Sequence, residues 1–180
     1  MKILVAFTNK KEHLLRALAG AWGSETSIAL FNPALRFHDE FLRSWNPDSV
    51  TADSWFVDWK SSPLRSLPEQ EVVVFCTSGT TGRMKEVILR KDACRFNLHT
   101  LRRHLGLDES FTTLGLPPLF HAFGFNLCFL QALDLGAAYL PLEKFSSTAL
   151  EAKLRPEKKV FLPLVPQMIE ALDFSPFSDL

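Results

Sequence analysis

Short, continuously apolar runs recur along this chain: KILVAF at 2–7, SIALF at 27–31 and VVVFC at 72–76. No polar alternation interrupts them. A strand of that kind must be buried on both faces, as strands are in a parallel sheet covered by helices. Between the runs the apolar period becomes helical. Leu14, Leu15, Leu18 and Ala21 share one helical face. Asn9 followed by Glu12 reads as a capping box at its start, and Gly23 as its stop. From Asp92, read as a helix cap, Cys94, Leu98, Leu101 and Leu105 form a second stripe, ended by Gly106. Helices are also expected over 34–45, near 123–134 with Gly136 behind it, after Thr148 with Glu151, and from Pro166, a residue suited to a first helical position. Further strands are expected at 86–91, TTLGLPP, AAYLPL and 160–165, with WFVDW as a short strand in the looser stretch 46–70. The alternation predicts an α/β fold, a mainly parallel sheet flanked by helices.

Charge excludes some partners. Twenty basic residues balance twenty acidic ones, so no bulk field favours nucleic acid or an anionic membrane. Cys76, Cys94 and Cys128 are widely spaced and show no zinc pattern; they read as reduced thiols, and no metal site is expected. The 24 residues between Glu109 and Asp134 carry no formal charge. A membrane span needs about 20 apolar residues, but this run holds Pro117, Pro118, His121, Asn126 and Gln131. It reads as buried core. The N-terminal apolar run is too short for a secretion signal, and a cytoplasmic location is expected.

The sharpest feature is the loop behind VVVFC: Thr77, Ser78, Gly79, Thr80, Thr81, Gly82, Arg83, Met84, Lys85. Two glycines let the backbone approach a ligand closely. Exposed N–H groups in such a turn form an anion nest, hydroxyls add donors, and a lysine adds charge. These parts suit phosphate. The lysine spacing is wrong for a Walker A loop, and a strand follows where that motif needs a helix. The bland alternative is a Gly/Thr hairpin turn without a ligand.

Thr-Ser-Gly-Thr-Thr-Gly-x-x-Lys resembles the phosphate loop of the adenylate-forming superfamily, which includes the acyl- and aryl-CoA synthetases. PLFHAFG at 118–124 is similar to that family's next motif. The wording around Pro118–Gly124 and Leu142–Phe145 leans towards o-succinylbenzoate–CoA ligases and other compact CoA ligases. The resemblance implies ATP with Mg2+ bound through the phosphates, a carboxylic acid substrate, and CoA or a carrier-protein thiol as acyl acceptor. It implies phosphate binding by Thr77, Ser78, Gly79, Thr80, Thr81, Gly82 and Lys85, with Lys85 catalytic, and an acyl pocket at His121, Phe123 and Gly124.

Met84 stands where the family usually has proline and Glu86 where it has glycine. Strand alternation is expected to turn Glu86 to the face opposite Lys85. The adenine and ribose motifs would lie beyond Leu180. The expectation is therefore a partial N-terminal domain over 1–180. Within it, 1–45 would be a first strand–helix–strand unit, 46–70 a loose connection, and 71–180 the phosphate loop and acyl pocket. On that reading the chain is a ligase fragment needing the rest of the enzyme or a partner chain. The alternative is a non-enzymatic binding module of the same descent.

Overall fold

The structure, a computed structural model, describes residues 2–7, 12–32, 54–58, 70–78, 84–142, 150 and 159–171. The chain divides into two compact units, Met1–Phe96 and Asn97–Leu180. The first opens with β1 (Lys2–Phe7), α1 (Glu12–Trp22) and β2 (Thr26–Phe31), followed by β3 (Ser54–Asp58), β4 (Val72–Ser78) and β5 (Met84–Arg90). Their sheet order is β3-β1-β2-β4-β5. β1, β2 and β4 run parallel, while β3 and β5 pair antiparallel at the two edges. The hairpin connection explains β5, because a parallel partner needs a crossover of a dozen or more residues. Ser27–Phe31 and Val72–Phe75 are buried throughout, as continuous apolar strands in the middle of a sheet require. Leu14 and Leu18 of α1 are fully buried, each contributing about 1.5–3 kcal/mol.

α2 (Lys91–Leu105) follows β5 directly. Asp92 is its second residue and not its cap. Its carboxylate accepts from Arg90 and from the Ala93 N–H, while the Lys91 N–H is already satisfied by the Glu71 carbonyl at 3.0 Å. The helix thus begins two residues before the start that a cap at Asp92 would give.

The second unit holds β6 (Phe111–Gly115), a π-helical segment (Phe123–Leu130), α3 (Gln131–Leu135), β7 (Ala138–Pro141), β8 (Lys159–Phe161) and α4 (Pro166–Ala171). Its sheet is parallel throughout, in the order β7-β6-β8. Leu114, Leu116, Leu142 and Leu150 form one cluster of its core, with Val160 and Met168 against them. Mainly parallel pairing and flanking helices thus hold, divided over two sheets.

Two local expectations change. The helix expected near 123–134 is a π coil for eight residues and α only afterwards. FGFNLCFL is apolar on every side except at Asn126, so no 3.6-residue stripe favours the tighter coil. Gly136, at φ +66°, closes α3 in the left-handed conformation. The strand expected over 160–165 ends at Phe161, since Pro163 has no N–H for a ladder. The helix expected over 34–45, Asn9 of the capping box and the Thr148/Glu151 signal lie outside the described residues. No helix among the described residues is long and apolar enough to cross a membrane. The uncharged run after Glu109 is shared among β6, a proline turn, the π segment and α3.

Candidate functional site

The loop of interest is the far end of the β4–β5 hairpin. Val72 pairs with Arg90 at its root, and the register continues to Cys76↔Glu86, Thr77↔Lys85 and Ser78↔Met84. Thr77 and Ser78 therefore belong to β4, and Lys85 to β5, beyond the strand bounds read from sequence. Thr77 and Lys85 share one register position, and Cys76 and Glu86 the next. Successive positions alternate faces, which assigns positions 85 and 86 to opposite faces of the hairpin. Glu86 is exposed, and partial burial raises its pKa above the usual carboxylate value. Gly79, Thr80, Thr81, Gly82 and Arg83 lie outside the described residues.

β4 pairs with β2 only through Val73, Val74 and Phe75, opposite Ile28, Ala29 and Leu30. Among the described residues, β4 from Cys76 outward pairs with β5 alone. The root is held differently. The Val72 N–H donates to Ser27 Oγ at 3.0 Å, in a buried position. Lys91, only 1% exposed, donates through Nζ to the carbonyls of Ala21 at 2.6 Å, Trp22 at 3.3 Å and Ser24 at 2.8 Å. These oxygens mark the end of α1, whose last turn has no basic residue of its own. A cation there complements the helix dipole. Arg95 also donates to the Trp22 carbonyl, at 3.1 Å, and its guanidinium lies 4.8 Å from the Trp22 ring centroid. Burial first, then the Arg95 charge, pushes Lys91 down to about 8, against a smaller opposite pull from Glu71. No sequence signal marks this lysine, since between Arg90 and Asp92 it reads as part of a solvated face.

In the second unit, His121 is exposed, with its ring 4.5 Å from that of Phe120. Its N–H donates to the Pro118 carbonyl and its own carbonyl accepts from Phe125, fixing the backbone at the entry to the π segment. Phe123 is half-buried and Gly124 buried. A Cβ on Gly124 would lie 2.2 Å from the Pro118 carbonyl oxygen and 2.8 Å from that of Pro117. The glycine is therefore demanded by close backbone approach. Three of the residues singled out by sequence, His121, Phe123 and Gly124, thus gather at one helix entry.

Further along the same unit are polar groups that no sequence motif marks. Among the described residues, Asn126 Oδ1, both amide atoms of Gln131 and the Tyr139 hydroxyl are buried and meet no hydrogen-bond partner. Burial, with a smaller contribution from Cys128, pushes the Tyr139 hydroxyl well above its ordinary range. Cys94 and Cys128 are free and buried. Among the described residues, no group of three His, Cys, Asp or Glu side chains is arranged to hold a metal ion.

Comparison with known proteins adds a family. A family model described as AMP-binding enzyme matches residues 5–179. The 4-chlorobenzoate–CoA ligase of Pseudomonas sp. (strain CBS-3) is 29% identical over 107 residues, covering 58% of this chain and 20% of the ligase. The indoleacetate–CoA ligase of Aromatoleum aromaticum is 32% identical over 111 residues, covering 58% and 21%. The chain thus spans about a fifth of the length of these curated relatives. Among solved structures, o-succinylbenzoate CoA synthetase from Bacillus subtilis, in complex with an acyl-adenylate intermediate, aligns at TM-score 0.65 and 17% identity. That alignment covers 94% of this chain and 50% of the other. Apo MatB from Rhodopseudomonas palustris aligns at TM-score 0.70 and 18% identity, covering 94% and 40%. At such identities the structures speak for the fold.

Proposed function

Because the chain belongs to the AMP-binding enzyme family, matched over residues 5–179, we propose that it carries the phosphate grip and part of the acyl wall of an acid–thiol ligase. A carboxylate oxygen of the substrate attacks the α-phosphorus of ATP. The bond to pyrophosphate breaks, and an acyl-adenylate forms. The thiol of CoA, or of a carrier protein, then attacks the acyl carbon and AMP leaves. Thr77, Ser78, Gly79, Thr80, Thr81 and Gly82 cradle the triphosphate with backbone N–H and hydroxyl donors. Lys85 neutralises the departing pyrophosphate, and charge stabilisation at the position where charge develops lowers the barrier. Mg2+ enters with the phosphates. His121, Phe123 and Gly124 wall the acid and fix its carboxylate for attack. The work is done in the cytoplasm, where ATP and CoA are found. The supporting observation is the pairing of Thr77 with Lys85 in the hairpin that ends in the Thr/Gly loop, in a chain matched to this family almost end to end.

The test uses the protein in the length its cells make. Lys85→Ala is expected to lower ATP-dependent adenylation by roughly one to two orders of magnitude, the loss of a charge-assisted hydrogen bond of about 1.5–3 kcal/mol. Pyrophosphate exchange measures it, with circular dichroism checking that the fold is intact. Unchanged exchange kinetics would remove Lys85 from the site. His121→Ala is expected to raise the KM for the acid about tenfold while that for ATP stays within about twofold, as loss of a positioning contact predicts. An effect confined to ATP would contradict its place in the acyl wall.

A further inference from the structure

The geometry points to Lys91 as a positioning residue of the phosphate hairpin, clamping its root to the end of α1 so that the loop it carries is held in register with its ligand. The inference rests on the reading of that hairpin as a phosphate grip. Three observations combine. Lys91 directly follows Arg90, the last residue of β5, and its N–H bonds the Glu71 carbonyl immediately before β4. Both feet of the hairpin therefore meet at one residue. Its ammonium, 1% exposed, donates to three carbonyls at the end of α1. Among the described residues the register of β4 with β2 ends at Phe75, so the sheet pairing that directs the outer part of the hairpin lies toward its root.

The lever is long. At about 3.3 Å per residue, Lys85 lies roughly 20 Å from Lys91 along β5, so a tilt of about 3° at the root moves it by about 1 Å. Misplacement of that size costs a reaction up to about a hundredfold. A lysine suits the position because three donors meet three acceptors, and because its apolar stem passes through the interior without further polar demand.

The test compares Lys91→Met with Leu14→Ala. Leu14 is fully buried in α1, away from the root, and its truncation costs a comparable amount of stability. Two readouts are taken at a temperature where both variants stay folded. In hydrogen–deuterium exchange without ligand, Lys91→Met is expected to raise exchange at least about fivefold in peptides covering 76–87, while Leu14→Ala leaves them near the wild-type rate. In steady-state adenylation, Lys91→Met is expected to raise the KM for ATP about tenfold with the KM for the acid unchanged, and Leu14→Ala to change neither. Equal exchange in the two variants, or an ATP KM unmoved by Lys91→Met, overturns the clamp. Exchange that responds as expected in a protein without ATP-dependent activity leaves the clamp standing as a structural device and sinks the ligase reading instead.

Discussion

Replacing Gly124 by alanine is expected to destabilise the second unit by about 3 kcal/mol or more, at the upper end of what overpacking costs. The reason is steric. The new methyl would sit 2.2 Å from the Pro118 carbonyl oxygen and 2.8 Å from that of Pro117. Neither carbonyl yields cheaply, because the two prolines hold their own φ angles near −65°, and the Pro118 oxygen already accepts the His121 N–H at 3.2 Å. The π segment must move instead, carrying His121 and Phe123 with it. Gly136→Ala supplies the contrast. That glycine has φ +66°, and an added methyl there would meet nothing within 4 Å, so its replacement costs only left-handed strain, about 1–2 kcal/mol. Urea titration of the two variants measures the difference. A Gly124→Ala cost equal to or below that of Gly136→Ala would mean that the close approach to the proline turn is not maintained in solution.

Lys91→Glu is expected to cost about 3–5 kcal/mol in the first unit, the range for a buried charge left uncompensated. A carboxylate there faces the carbonyls of Ala21, Trp22 and Ser24, three acceptors at the negative end of a helix. Arg95, which reaches the Trp22 carbonyl, is the one other cation close to this end of α1 among the described contacts. Lys91→Met removes the charge without reversing it and is expected to cost less, about 2 kcal/mol, since Arg95 and Ser24 still bond two of the three carbonyls at this helix end. The wild-type lysine also makes stability depend on pH. Its folded pKa, about 8, lies below the ordinary 10.5, so the unfolded chain binds more protons between these values. Stability then rises with pH across that window and is flat with respect to this group below it. The gap between wild type and Lys91→Met should widen from pH 8 to 10. A gap that stays constant from pH 8 to 10 would show the amine to be held charged by the carbonyls.

Much of the fold is legible in the chain itself. β1, α1, β2 and α2 follow from unbroken apolar runs and helical stripes, which are local properties. The hairpin strands run further than expected, through Thr77–Ser78 and from Met84, because ladder pairing admits polar residues that periodicity assigns to a loop. The π coil was not legible, since a stretch apolar on all sides has the same pattern in either coil. Lys91 was not legible either. Its neighbours in sequence describe a surface lysine, and its acceptors lie about seventy residues away.

By itself the sequence determined the α/β class, the order of the strands and helices among the described residues, and the Thr77–Lys85 string that marks the family. All are encoded over a few residues, by side-chain period and by a motif whose chemistry is local. The tertiary structure alone decided that the strands form two sheets with antiparallel edges in the first, that Thr77 pairs with Lys85 across a hairpin, and that one buried ammonium joins the hairpin root to the end of α1. Those features depend on which backbone donors and acceptors meet after long segments have packed, and a hydrogen bond between residues seventy apart leaves no period in the chain.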